Sequence, residues 1–165
     1  MKRGLWAVVL VGLLAGPGLA QQGGFILFGP KSSEQVLSYR SLKDRAGAQQ
    51  SGLDLFLQPQ KVAVRQIQIL FPERFKSSFD PSQIEMVDQE SGTVFAIENA
   101  QIDAEAKTLT LIARDPIPAS VPLTLRLRNI TNPRSPGIHR LRARLLGTEP
   151  NPIYRYVGDW YITIT

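Results

Sequence analysis

Residues 123–146, LTLRLRNITNPRSPGIHRLRARLL, constrain the fold of this chain more than any other stretch. Leu123, Leu125 and Leu127 alternate with Thr124, Arg126 and Arg128, and Leu141, Ala143 and Leu145 alternate with Arg140, Arg142 and Arg144. Strict alternation predicts two strands, each with one face in a core and the other in water. Between them lies NPRSPG, whose prolines and glycine interrupt both helix and ladder. A simple hairpin closed by that link would set Arg126 and Arg128 beside Arg140 and Arg142, and directly opposed like charges are destabilising. The link is also longer than the two-residue turns that favour hairpins. The chain is therefore expected to cross here from one sheet to another. On this reading the last strand pairs with residues 140–146, and the strand around Glu85 is their other neighbour. Arg140, Arg142 and Arg144 would then meet acids such as Glu85 and Asp88, in exposed pairs worth roughly 0–1 kcal/mol each.

The remaining pattern agrees with an all-β chain. Leu53, Leu55 and Leu57 alternate with polar or outward positions. In residues 62–71 the apolar phase slips, from Val62 and Val64 to Ile67, Ile69 and Phe71, which predicts a β-bulge. Phe71, Phe75 and Phe79 fall at helical spacing, so one short helical turn is expected near residues 73–79, plugging the end of the core rather than offering an aromatic ligand platform. Strands follow at 84–87, at 93–97 with 100–102, at 108–113, and at 160–165, separated by Gly, Pro and Asn turns. The expected fold is an antiparallel, immunoglobulin-like β-sandwich of about eight strands, with a closed barrel as the alternative.

Before this domain, which is placed at 53–165, residues 21–52 read as an extended or partly disordered lead-in. Residues 1–20 read as a cleaved signal peptide. Lys2 and Arg3 precede the apolar run LWAVVLVGLLA, Pro17 breaks it, and Gly18 and Ala20 are the small residues of a cleavage site. The run is shorter than the ~20 residues that span a bilayer, so no transmembrane span is expected after cleavage. An exported, periplasmic or extracellular location follows. Loss of Lys2 and Arg3 would lower the formal charge from +5 to +3, too mildly basic to imply a nucleic-acid partner. Charge is unevenly spread: residues 73–115 hold most of the acids, and residues 116–165 hold seven arginines against Glu149 and Asp159. Neighbouring strands that neutralise each other across a sheet explain this without a ligand.

Chemistry-bearing constellations are few. The chain has no cysteine and one histidine, His139, so neither a thiolate nor a multi-histidine metal site can be composed. His139 is expected to be a packed or solvated residue. No G-x-S-x-G elbow and no glycine-rich phosphate loop is present. Asp80, Glu85, Asp88, Asp103 and Asp115 supply carboxylates for a hydrolase, but no two are singled out by pattern. Asn129-Ile130-Thr131 matches a glycosylation sequon, read here as coincidence. No cofactor is expected and no enzyme activity is assigned.

Four segments together resemble a known family: FPERF at 71–75, SSFDPSQIEM at 77–86, NPRSPGIHRLRARL at 132–145 and YVGDWYITI at 156–164. The chain is similar to exported cyanobacterial proteins built on a domain of unknown function, which share an FP-x-x-F segment, an NP-x-x-x-G strand start and a Gly-led ending. Ile138-His139 stands where that family commonly has Tyr after the glycine. The resemblance implies an envelope-exported β-domain and supplies no catalytic residues. A more distant likeness, to copper-resistance immunoglobulin-like domains, extends to shape and not to metal.

Two functions are therefore weighed. One is a non-catalytic structural or protein-interaction module of the cell envelope or periplasm, with an envelope protein or polysaccharide as partner. The other is a binding module for an anionic ligand, acidic polysaccharide or lipid headgroup, using Arg126, Arg128, Arg134, Arg140, Arg142 and Arg144. The second requires those guanidinium groups to gather in space without acidic neighbours.

Overall fold

The computed structural model describes residues 36–165. The expected signal peptide and the first part of the lead-in lie outside the described residues. The rest forms a β-sandwich of two antiparallel five-stranded sheets. In chain order the strands are β1 (Tyr39–Ser41), β2 (Gln49–Leu57), β3 (Val64–Leu70), β4 (Ile84–Asp88), β5 (Val94–Phe95), β6 (Ile97–Asp103), β7 (Thr108–Ile117), β8 (Leu123–Thr131), β9 (Gly137–Gly147) and β10 (Arg155–Ile164). The first sheet runs β1-β2-β8-β4-β5 and the second β10-β9-β3-β7-β6. Among the described residues no helix is long and apolar enough to cross a membrane.

Alternation places the core as expected. Leu53, Leu55 and Leu57 lie opposite Leu127, Leu125 and Leu123 in the first sheet. Ile67 and Ile69 lie between Leu111 and Leu109 on one side and Leu145 and Ala143 on the other in the second. All of these are buried, and their removal from water is the main force closing the two layers. The phase slip in β3 is a bulge between Val64 and Gln66, present against both neighbours.

β8 and β9 belong to different sheets, so the NPRSPG link is a crossover, and β10 pairs with β9. The expected second neighbour of β9 is corrected: it is β3, while the Glu85 strand, β4, pairs with β8. Charge repulsion argued against a β8–β9 hairpin but could not choose among the remaining strands. Ile67 and Ile69 of β3 face Leu145 and Ala143, while Ile84 and Met86 of β4 face Leu127 and Leu125, so apolar alternation fits either pairing and leaves the choice to the whole fold.

Both flanks of the sandwich are closed by chain that changes layer. β5 and β6 are separated by Ala96 alone, where the chain passes from the first sheet to the second. On the opposite flank Val36 bridges Asp159 in parallel, and the Leu37 N–H donates to the Asp159 carbonyl at 2.9 Å. Three residues later the chain is paired with β2. Trp160 is fully buried and its Nε1–H donates to the Phe56 carbonyl of β2 at 3.1 Å, joining the layers beside the start of β1.

The lead-in expected over residues 21–52 is, from Val36 onward, part of this fabric. Its anchors are polar. Gln50 Oε1 accepts from the Leu42 and Lys43 N–H groups and the Ser41 hydroxyl, while Gln50 Nε2 donates to Asn132 Oδ1 at 2.6 Å. Asn132 Nδ2 donates in turn to the Lys43 and Arg45 carbonyls. Both side chains are buried, and such a satisfied network fixes a loop that alternation alone would not.

The helical turn expected near 73–79 is displaced to Pro81–Gln83, a 3-10 turn capped by Asp80. Residues 73–74 form only a tight turn, closed by Phe75 N–H to the Pro72 carbonyl. Ser78 then pairs with Thr131, and the Ser77 hydroxyl donates to the Thr131 carbonyl. Those bonds hold residues 77–78 extended and forbid a helix there.

Candidate functional site

The crossover sends the two arginine strands to opposite outer surfaces. On the first sheet Arg126 stands between Asp54 and Glu85 in register. Arg128 donates to Glu85 through Nη2 at 3.0 Å and Nε at 3.3 Å, and Arg40 Nη2 meets Asp54 at 2.5 Å. Cations and carboxylates thus alternate across β1, β2, β8 and β4. Arg134 lies exposed in the crossover loop, near Gly47. The six arginines singled out from sequence are not gathered. They divide into Arg126 with Arg128, Arg134 alone, and Arg140 with Arg142 and Arg144.

The last set occupies the outer face of the second sheet. The acids expected beside it, Glu85 and Asp88, lie on the first sheet, and the carboxylate present is Asp159 of β10. It is 3.5 Å from Arg142 Nε and 3.9 Å from Arg140 Nε, with its side chain only 7% exposed. Tyr161 lies opposite Arg140, and Tyr156 opposite Arg144. The Arg142 guanidinium sits 5.6 Å from the centre of the Tyr156 ring, within cation–π range. Burial, followed by a hydrogen bond to Asp159, pushes the Tyr156 phenol above its usual range. On its other side β9 faces β3, with Gln68 opposite Arg144 and Leu70 opposite Arg142. Gln68 Nε2 donates onward to the Thr110 hydroxyl at 3.3 Å. Among the described residues Arg144 has no ion-pair partner.

A bulge makes this face possible. β10 slips register between Tyr156 and Gly158, where Gly158 adopts φ +146°, so Val157 and Gly158 together oppose Ala143. Tyr156 and Asp159, three residues apart, therefore share the outer side. The outward Tyr161 is legible in the alternation of residues 160–165. Tyr156, Asp159 and Gln68 are not, although Gly158 inside an aromatic run is the signal that marks a bulge.

A second concavity lies at the end of the sandwich. Phe71 and Phe75 stack with ring centres 5.4 Å apart, and Phe79 tilts onto Phe71 at 6.0 Å. With Ile102, Lys76 and Lys107 they line an open cleft of about 320 Å³. Phe75 also meets the buried His139 edge-on, and His139 Nε2 is 2.9 Å from the Ser135 carbonyl. The histidine is therefore a packed residue, and the phenylalanines cover the core while leaving one side in contact with solvent.

Of the carboxylates considered for hydrolysis, Asp115 is exposed on β7, and the other four have structural partners. Asp80 accepts from Ser82, Asp88 from Glu90 N–H and the Ser91 hydroxyl, and Asp103 from the N–H groups of Glu105 and Ala106. Glu85 is paired with Arg128. Among the described residues no group of three His, Cys, Asp or Glu side chains could hold a metal ion.

A family model described as "Protein of unknown function (DUF2808)" matches residues 25–164. No curated protein matches the chain. Among solved structures it is similar to BslA, a bacterial hydrophobin, at 16% identity and a TM-score of 0.49, covering 79% of this chain and 91% of that one. It is also similar to the collagen-binding domain from a Staphylococcus aureus adhesin, at 9% identity and a TM-score of 0.38, covering 69% and 87% of the two chains. A third is MyfA, the major subunit of Myf fimbriae from Yersinia enterocolitica, at 9% identity and a TM-score of 0.39, covering 78% and 98%. Nothing about function follows from likenesses this distant.

Proposed function

The chain belongs to the DUF2808 family of proteins of unknown function, and we propose that it is an exported, non-catalytic module that acts by contact in the cell envelope or periplasm. The observation that carries this reading is the contrast between its outer surfaces. One is a mosaic of paired charges, and the other sets three arginines and two tyrosines over a single sunken carboxylate. Arginine and tyrosine are the residues that interaction surfaces concentrate, because each offers a broad, rigid contact with directed hydrogen bonds. The charge on that face supports a second reading within the first, in which the contact is with an anionic ligand, an acidic polysaccharide or a lipid headgroup.

Export is tested by fractionating cells that make the full-length chain. The mature protein should be recovered outside the cytoplasm with Gln21 as its first residue. Recovery in the cytoplasm with residues 1–20 retained overturns the envelope reading. Contact is tested by envelope retention of the wild-type chain against the double variant Arg140→Ala with Tyr161→Ala. Equal retention of the two overturns the assignment of the second-sheet face.

A further inference from the structure

We propose that the outer face of the second sheet binds a linear, carboxylated polysaccharide lying along β9, with Arg140 and Arg144 holding its carboxylates and Tyr156 and Tyr161 supporting its sugar rings. This rests on the contact-module reading above and names the partner of that same face.

Charge complementarity is the first argument. The three arginines of β9 face one carboxylate, Asp159, whose side chain is almost wholly buried. Asp159 offsets one of the three arginines and leaves the row with two cations in excess, and it orients the Arg142 and Arg140 side chains. Arg142 is spent on this support and on the Tyr156 ring. Arg140 and Arg144 remain the outward cations. A guanidinium matches a carboxylate as a planar, two-pronged donor.

Spacing is the second. Alternate residues of a strand recur every ~6.8 Å, so Arg140 and Arg144, four residues apart on one face of β9, stand roughly 13 to 14 Å from each other, a separation that suits a polymer presenting carboxylates repeatedly along its length. A compact anion would use one of them and leave the other unmatched.

The third argument distinguishes a sugar chain from other polyanions. Each outward arginine has a tyrosine directly across the ladder, Tyr161 beside Arg140 and Tyr156 beside Arg144. Aromatic rings pack against the C–H faces of pyranose rings, and Gln68 and Thr110 continue the Arg144 row with neutral hydrogen-bonding groups suited to hydroxyls. A lipid surface would be met by an apolar wedge. Here the strongly exposed aliphatic residues Ile138 and Ile153 stand at opposite ends of β9, so no single wedge is formed.

The test measures binding of the full chain to polygalacturonate, to polyglutamate and to vesicles containing phosphatidylglycerol at low salt. Polygalacturonate should bind with an affinity that falls as salt is added. Arg140→Ala with Arg144→Ala should weaken it at least ~10-fold, whereas Arg126→Ala with Arg128→Ala should change it less than ~2-fold. Tyr161→Ala should weaken polygalacturonate binding several-fold and leave any binding of polyglutamate unchanged. Arg140 is exposed, Arg126, Arg128, Arg144 and Tyr161 are half-buried on the outer faces, and unfolding midpoints of the variants will confirm that the fold is intact. The proposal is overturned if polygalacturonate is not bound, if Arg140→Ala with Arg144→Ala or Tyr161→Ala leaves its binding unchanged, or if polyglutamate or vesicles are bound as well or better. Failure here together with arginine- and tyrosine-dependent envelope retention would discard the polysaccharide and leave the contact module standing; failure of both discards both.

Discussion

The two outer faces of the sandwich are built from the same alternation and nearly the same residues, yet they differ in how their cations are answered. On the first sheet Arg40, Arg126 and Arg128 are interleaved with Asp54 and Glu85, so two acids answer three cations within one layer. On the second the carboxylate beside Arg140, Arg142 and Arg144 among the described residues is Asp159 alone, across the ladder from Arg142, so three arginines there share one acid. An arginine-rich strand is therefore uninformative until its neighbours are known. The function of such a strand is decided by what stands one ladder step away.

Four experiments bear on that contrast. The largest effect should come from Trp160→Ala, at about 3–5 kcal/mol of stability by denaturant unfolding, since the side chain is fully buried and bonded to the opposite layer. The two faces should be lost in one transition; separate transitions would show that they are not one cooperative unit. Next are the buried acids. Asp54→Asn and Asp159→Asn should each cost about 1–3 kcal/mol, because each acid is a sunken partner of arginine. Asp159→Asn should also raise retention on a polyanionic column, and an unchanged elution would break the link between Asp159 and the charge of that face. Glu85→Gln should cost less than ~1 kcal/mol, as expected for an exposed pair, while making the first face more retentive; no change in elution would mean that Arg128 is silenced by something other than Glu85.

The smallest effect is on pH. The Ser91 hydroxyl, then the Glu90 N–H, hold the Asp88 carboxyl below its ordinary value of 3.8. The Ser82 hydroxyl and N–H do the same for Asp80. A carboxyl lowered on folding stabilises the native state above its unfolded pKa, and that contribution disappears as pH falls through the lowered value. Asp80 precedes β4 and Asp88 ends it, and Asp88→Asn should make the acid-side loss of stability shallower. An unchanged slope in acid titrations followed by circular dichroism would remove Asp88 from the account.

Much of the architecture is legible in alternation and punctuation. The leucine runs of β2 and β8, the bulge in β3, the crossover at NPRSPG and the pairing of β9 with β10 all follow from spacing and from the cost of opposing like charges. What is not legible has a physical cause in each case. β1 is three residues long, and the chain around it is held by Gln50, Asn132 and edge hydrogen bonds, which leave no periodic trace. Helical spacing of three phenylalanines does bring the rings together, but Ser77 and Ser78 are claimed by β8 and hold the chain extended. Of the candidate site, the arginines could be read directly. Tyr161 follows from the alternation of residues 160–165, but Tyr156 and Asp159 could not be read, because the extra residue in β10 shifts the phase on which such a reading depends.

That extra residue also governs how the strand can vary in length. Val157 and Gly158 share one place opposite Ala143, so removing Val157 restores an ordinary ladder without moving any other partner along β9. A deletion of one residue elsewhere in β10 would instead carry everything on one side of it onto the wrong surface. Shortened versions of this strand should accordingly survive with their Tyr–Arg neighbours intact only when the missing residue is taken from that single shared position.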